Sequence, residues 1–258
     1  MTSTAWEEVT AATASSPYPV TFLPPNPDRA RQCLTTLEVT TRSWLGAVVA
    51  NTGGILVDHG WLRVLGSGHG DLPDVLWKAD PHSRWLTVAV DVLGGHYAWF
   101  QAAPDRTPTI HYFGPDVLEW QDLERGYGDW LYGVLSGVLT EFYDTLRWPG
   151  WEAEVAGLAL SQGITTFPPP STREGKYLAT VARAPVPMAE LIDFHHDFAR
   201  QLGLGKGDAA DGLAQRPQGG ECRLDIEHGV VAARPGTVGA LGLRQPLPGR
   251  HEQRLLGA

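Results

Sequence analysis

A chain of 258 residues, 43% hydrophobic and 19% charged, holds enough apolar material for one sizeable core. A formal charge of −9 and a pI ≈ 5.4 set its surface against phosphate backbones, which excludes general nucleic-acid binding. No run of about 18 apolar residues occurs, which excludes a membrane-spanning helix, and the start MTSTAWEEVT lacks the basic and apolar regions of a leader.

The elements follow in chain order. WEEVTAAT predicts a first helix. VTFLPPNPDRARQCLTTL predicts a short extended piece, a proline-rich turn and a helix from near Asp28. RSWLGAVVANTGG predicts a helix capped by Ser43 and stopped at Gly53. GILVDHGWLRVLGSG reads as two strands with Asp58, His59 and Gly60 as their turn. RWLTVAVDVLGGHYAWFQ and TPTIHYFGPD read as three further strands, rich in β-branched and aromatic residues.

The period then changes. Tyr127, Trp130, Leu131, Val134, Leu135 and Val138 fall on one face of a helix. A short helix ends at Pro149, and PGWEAEVAGLALSQG predicts another that stops at Gly163. ITTFPPP is extended. PVPMAELIDFHHDFARQLG predicts a last helix between Pro187 and Gly203. All ten Trp, seven Tyr and seven Phe precede Gly203, so residues 203–258 form a Gly- and Pro-rich tail that cannot build a core and is expected to be flexible. The fold expected is α+β: a single domain with a mostly antiparallel central sheet and helices flanking it on one side. Its parts are an N-terminal segment 1–36, a body 37–202 and the tail.

Asp91 stands in the middle of an apolar strand, just before Gly94 and Gly95. In that strand Leu86, Val88, Val90 and Val92 share the face to be buried, and Asp91 falls on the other. Its carboxylate is suited to accept backbone N–H groups of the glycine turn, a structural role. The functional alternative makes Asp58, His59 and Asp91, with Asp116, the acids and base of a hydrolytic site. The nine histidines show no metal spacing, and neither a nucleophile elbow nor a phosphate loop is present, so neither metal nor cofactor is expected. His195 lies on the apolar face of the last helix and reads as a core histidine. Asp116, Glu119, Asp122, Glu124 and Asp129 surround Trp120 and Tyr127, and this acidic, aromatic segment suits a basic protein partner.

The motifs VTTRSWLGAVVANTGGILVDHGWLRVLGSG, VDVLGGHYAWF, YFGPDVLEWQDLERGYGDWLYGVLSG and FYDTLRWPGWEAEV resemble the bacterial domain-of-unknown-function family 2625, over roughly residues 37–202. NTGG (residues 51–54) and DVLGG (residues 91–95) are more distantly similar to pieces of the Smi/Knr-like (SUKH) superfamily. That second resemblance implies a binding module, of the immunity type found in toxin systems. The leading expectation is therefore a non-enzymatic protein-binding module, and the alternative is a hydrolase. Two cysteines, Cys33 and Cys222, are too few for a disulfide scaffold and fit a reducing, cytoplasmic setting.

Overall fold

A computed structural model describes residues 3–79, 83–103 and 105–204. Apart from its first two residues, the tail therefore lies outside the described residues, as does Cys222.

Seven strands form one antiparallel sheet in sequential order: β1 (Val20–Leu23), β2 (Gly54–Val57), β3 (Leu62–Leu65), β4 (Trp85–Asp91), β5 (His96–Phe100), β6 (Thr109–Phe113) and β7 (Trp120–Asp122). Each strand pairs antiparallel with the next in sequence, so the fold is α+β with a mostly antiparallel centre. The N-terminal segment contributes α1 (Ala5–Ala14), edge strand β1 and α2 (Pro27–Thr36) to this body. Thr4 caps α1 in a reciprocal box with Glu7, Asn26 caps α2, and Ser43 caps α3 (Trp44–Asn51) through Gly46 N–H.

Gly53 follows α3, but the helix ends at Thr52 in an extended conformation. Gly53 is needed for a different reason: a Cβ there would sit 2.6 Å from the Pro24 carbonyl and 2.7 Å from that of Gly68.

The main core lies between the sheet and α1, α2, α3 and α4 (Tyr127–Gly133). Five of the six periodic positions, from Tyr127 to Leu135, are buried as the spacing requires, and Val138 is half-buried. After α4 the helix widens into a π turn, Val134–Val138, where Gly137 has φ 111°, before α5 (Leu139–Phe142) and a short 3-10 turn, Asp144–Leu146. Gly137 is what lets the chain kink between the two helices.

The helices were expected on one side, yet α7 (Met188–Gln201) covers the opposite face. Met188 and Ile192 pack on Val90, and Ala199 packs near Phe113. A second correction concerns residues 149–163. The helix α6 (Trp151–Ala156) stops before Gly157, and β8 (Gln162–Phe167) pairs with β9 (Ala182–Pro187) as a separate ribbon. Ile164 N–H donates to the Val92 carbonyl at 2.6 Å, and Arg63 reaches the carbonyls of Leu160 and Gln162 at 2.7 and 2.6 Å, tying the ribbon to the sheet. Arg63 is buried, which lowers its guanidinium to about 10, and three backbone carbonyls replace its water.

Among the described residues, no helix is long and apolar enough to cross a membrane.

Candidate functional site

The turns of β2–β3 and β4–β5 meet at one end of the sheet, because Leu62 pairs with Asp91 and Val92 N–H donates to the Trp61 carbonyl at 3.0 Å. Asp58, His59 and Asp91 are therefore brought to the same end.

Asp91 does not lie on the face that simple alternation predicts. The register passes from Thr87 opposite Ala98 to Ala89 opposite Tyr97, which leaves Val88 as an extra residue. That bulge turns both Val88 and Ala89 into the main core and sends Val90 to the α7 side. Asp91 then points into the main core, 0% exposed. Its Oδ1 accepts the Leu93 and Gly95 N–H groups at 2.9 and 3.0 Å. Its Oδ2 accepts the hydroxyls of Tyr112 at 2.8 Å and Tyr143 at 3.1 Å, and Tyr143 is joined in turn to the Tyr97 hydroxyl at 2.8 Å. Burial raises the carboxyl to about 6, and the four donors oppose that rise. The second glycine is explained by the same cluster: a Cβ on Gly95 would lie 2.2 Å from Asp91 Oδ2 and 2.4 Å from the Tyr112 hydroxyl.

Asp58 has a different partner. Its Oδ2 meets the Arg147 guanidinium at 2.5 Å, and Arg147 lies over the rings of Trp151 (4.4 Å) and Trp61 (5.1 Å). Asp58, His59 and Gly60 all adopt positive φ, a conformation free to Gly and, among other residues, enriched in Asp and His. His59 is exposed and meets Trp151 edge-on at 5.9 Å. The two turns are thus adjacent, but their carboxylates are engaged by separate partners.

On the far face of the β4–β5 turn stands a histidine group that sequence reasoning missed. His96 Nδ1 lies 3.2 Å from the Gly94 carbonyl, so it carries the proton and donates. Its Nε2 is then an acceptor and meets His196 Nε2, the donor, at 3.1 Å. Burial lowers His96 to about 3, with His196 adding to the effect, and lowers His195 to about 4. His195 is a core histidine, as its helical position predicts. It packs on Gly94, whose φ is 83°. Among the described residues, no group of three His, Cys, Asp or Glu is arranged to hold a metal.

The acidic segment is divided by the sheet. Trp120 sits on the α7 face, half-buried against Trp85 (4.5 Å), His96 (5.0 Å) and Phe113 (5.4 Å). Its ring is part of a packed layer. Asp129 and Tyr127 belong to α4, whose Trp130 packs on Tyr97 across the main core, so they lie on the other side. Asp116 is half-buried, which raises its carboxyl. Asp122 at the end of β7 is exposed, as are Glu119 and Glu124 on either side of the strand, and Val117 nearby is 40% exposed. β7 pairs only with β6 among the described strands, so its outer edge is free.

A cleft of about 220 Å³ lies between the loop at Leu72 and Trp77 and the start of α7, floored by Val90 and Met188. None of the candidate site residues lines it.

The groups that make the Asp91 cluster, Tyr112 and Tyr143, lie 21 and 52 residues further along the chain, and no local spacing announces them.

The chain is 40% identical over 153 residues to the "Putative uncharacterized protein YbfG" of Escherichia coli (strain K12), covering 57% of this chain and 71% of that one. It is 34% identical over 157 residues to an "Uncharacterized protein" of Haemophilus influenzae, covering 57% and 68%. No solved structure matches. The family model described as "Protein of unknown function DUF2625" matches residues 1–191, which include both turns, the Asp91 cluster and the acidic edge, and the chain belongs to that family.

Proposed function

We propose that the protein is a non-enzymatic binding module that presents the β7 edge to a basic protein partner in the cytoplasm. The observation that carries this reading is the group of exposed carboxylates on and beside a free edge strand, Asp122 within it and Glu119 and Glu124 flanking it, with the exposed Val117 nearby. Charges of one sign steer a partner of the other sign, and a free strand edge offers backbone groups to pair with. An immunity-type role is the special case that the SUKH-like pieces imply.

The hydrolase reading is weaker for two reasons. Asp91 is 0% exposed and already accepts four donors, so no substrate reaches it. Asp58 is held by Arg147, and among the described residues His59 has no carboxylate partner to orient it.

The test is capture from a native lysate with the full chain and with Glu119→Lys/Glu124→Lys. A basic protein retained by the first and lost by the second is the expected result. The same proteins retained by both would overturn the edge reading.

A further inference from the structure

The helix α7 carries an apolar ridge that the other described residues leave open. Phe194, Phe198 and Leu202 recur at i, i+4 and i+8 and stand in one row. The two phenylalanine rings stack at 5.8 Å, while Phe194 is 45% and Leu202 53% exposed. A helix that already buries Leu191, Ile192 and His195 on the sheet has no need of a second apolar face in water. The ridge adjoins the acidic edge, because Phe198, Leu204 and Trp120 pack on one small cluster of Phe113, Leu118 and Ala199. Glu119 sits between Leu118 and Trp120.

The chain itself supplies a complementary occupant. Residues 230–258 contain Arg234, Arg244, Arg250 and Arg254 against the single acid Glu252, a net +3 with histidine neutral, in a chain whose total is −9. They also carry apolar residues, among them Leu241, Leu243, Leu255 and Leu256. Residues 205–229 separate this segment from the end of α7. At roughly 3.3 Å per residue that stretch reaches up to ~80 Å, several times the length of the 14-residue helix. The family match ends at residue 191, so the ridge and the basic segment both belong to the part of the chain beyond it.

We infer that residues 230–258 dock in cis on the Phe194–Phe198–Leu202 ridge and set their arginines against Glu119 and Asp122. Those two carboxylates belong to the edge assigned above to a partner. For the role of that edge in partner binding the inference rests on the proposed function, but the contact itself is tested on the isolated chain.

The experiment is hydrogen exchange of the full chain, without partner, read over residues 117–122 and 194–204. One variant carries Arg234→Glu, Arg244→Glu, Arg250→Glu and Arg254→Glu. A second carries Glu119→Lys and Asp122→Lys, and a third combines both sets. Either set alone is expected to raise exchange about fivefold or more in both stretches, and the combination to restore protection. Unchanged exchange in the arginine variant overturns the cis contact, even where partner capture still depends on Glu119. Protection that depends on protein concentration assigns the ridge to a second copy and also overturns it.

Discussion

The Tyr112 hydroxyl donates to Asp91 Oδ2 at 2.8 Å, from a strand two places away in the sheet. With the Tyr143 hydroxyl and two turn amides it fills the acceptor positions of a carboxylate that has no contact with water. Asp91→Ala leaves four buried donors without a partner, and a cost of about 3–5 kcal/mol is expected from penalties of this kind. Asp91→Asn keeps an acceptor for the two amides but turns an NH₂ toward the two phenols, which must reorient, so about 1–2 kcal/mol is expected. Urea unfolding of both variants decides the order. Equal and negligible effects of the two variants would show that the cluster contributes nothing.

The glycines of the two turns are required for different reasons. Gly95→Ala places a Cβ 2.2 Å from Asp91 Oδ2, and its neighbours are hydrogen-bonded on all sides, so about 2–3 kcal/mol is expected from overpacking. Gly60→Ala meets nothing within 4 Å but must hold φ 83°, which costs roughly 1 kcal/mol. Thermal melts of the two proteins should therefore rank Gly60→Ala above Gly95→Ala in stability. The reverse order would refute the packed-turn account.

Acid is expected to destabilise the fold through the histidine group. His96 near 3 and His195 near 4 are depressed from 6.5, and His196 shifts the same way, so the unfolded chain takes up their protons first. Their contribution is present above the unfolded value and is lost as pH falls from about 6.5 toward 4. Asp91 works in the opposite direction, because its raised carboxyl, near 6, holds a proton that the unfolded state has already released. Burial also lowers His111 and raises Asp116, so four depressed histidines stand against two raised carboxyls and stability falls on going from pH 7.5 to pH 5, each excess proton costing about 1.4 kcal/mol per pH unit. Asp91→Asn removes one of the two opposing groups and should steepen the fall. Chemical denaturation at a series of pH values measures the slope, and a stability that rises on acidification contradicts the assignment.

What the sequence made legible was local. Ser43, the helical period of residues 127–135 and the Asp91–Gly95 turn are all set by neighbours within a few residues, and each appears in the structure as its chemistry requires. The face of Asp91 was not legible, because a single bulge at Val88 inverts alternation without leaving a mark in residue type. Nor was β9, whose Pro185 and Pro187 argue against a strand yet are tolerated in a two-stranded ribbon. The His96–His196 contact joins residues 100 apart and depends on α7 crossing to the far face.

Trp120 separates packing from recognition. Its ring lies 4.5 Å from Trp85 and 5.4 Å from Phe113, and it closes the layer on which Phe198 and Leu204 rest. Removing it opens a void between β7 and α7, although the ring is only half-buried. Trp120→Ala is therefore expected to cost about 2–3 kcal/mol of stability, below the range for a fully buried tryptophan. The carboxylates beside it behave in the opposite way. Glu119 and Glu124 are exposed and support no described element through their side chains, so Glu119→Lys/Glu124→Lys should change stability by less than about 0.5 kcal/mol. If the edge binds a basic partner, that double variant slows association, and the effect shrinks as salt screens the charges. Trp120→Ala, measured well below its melting temperature, should associate at close to the normal rate. Denaturant unfolding and stopped-flow association on the captured partner give the two readings. A Trp120→Ala protein that is fully stable but fails to bind would make the ring an anchor and return the interface to the aromatic surface.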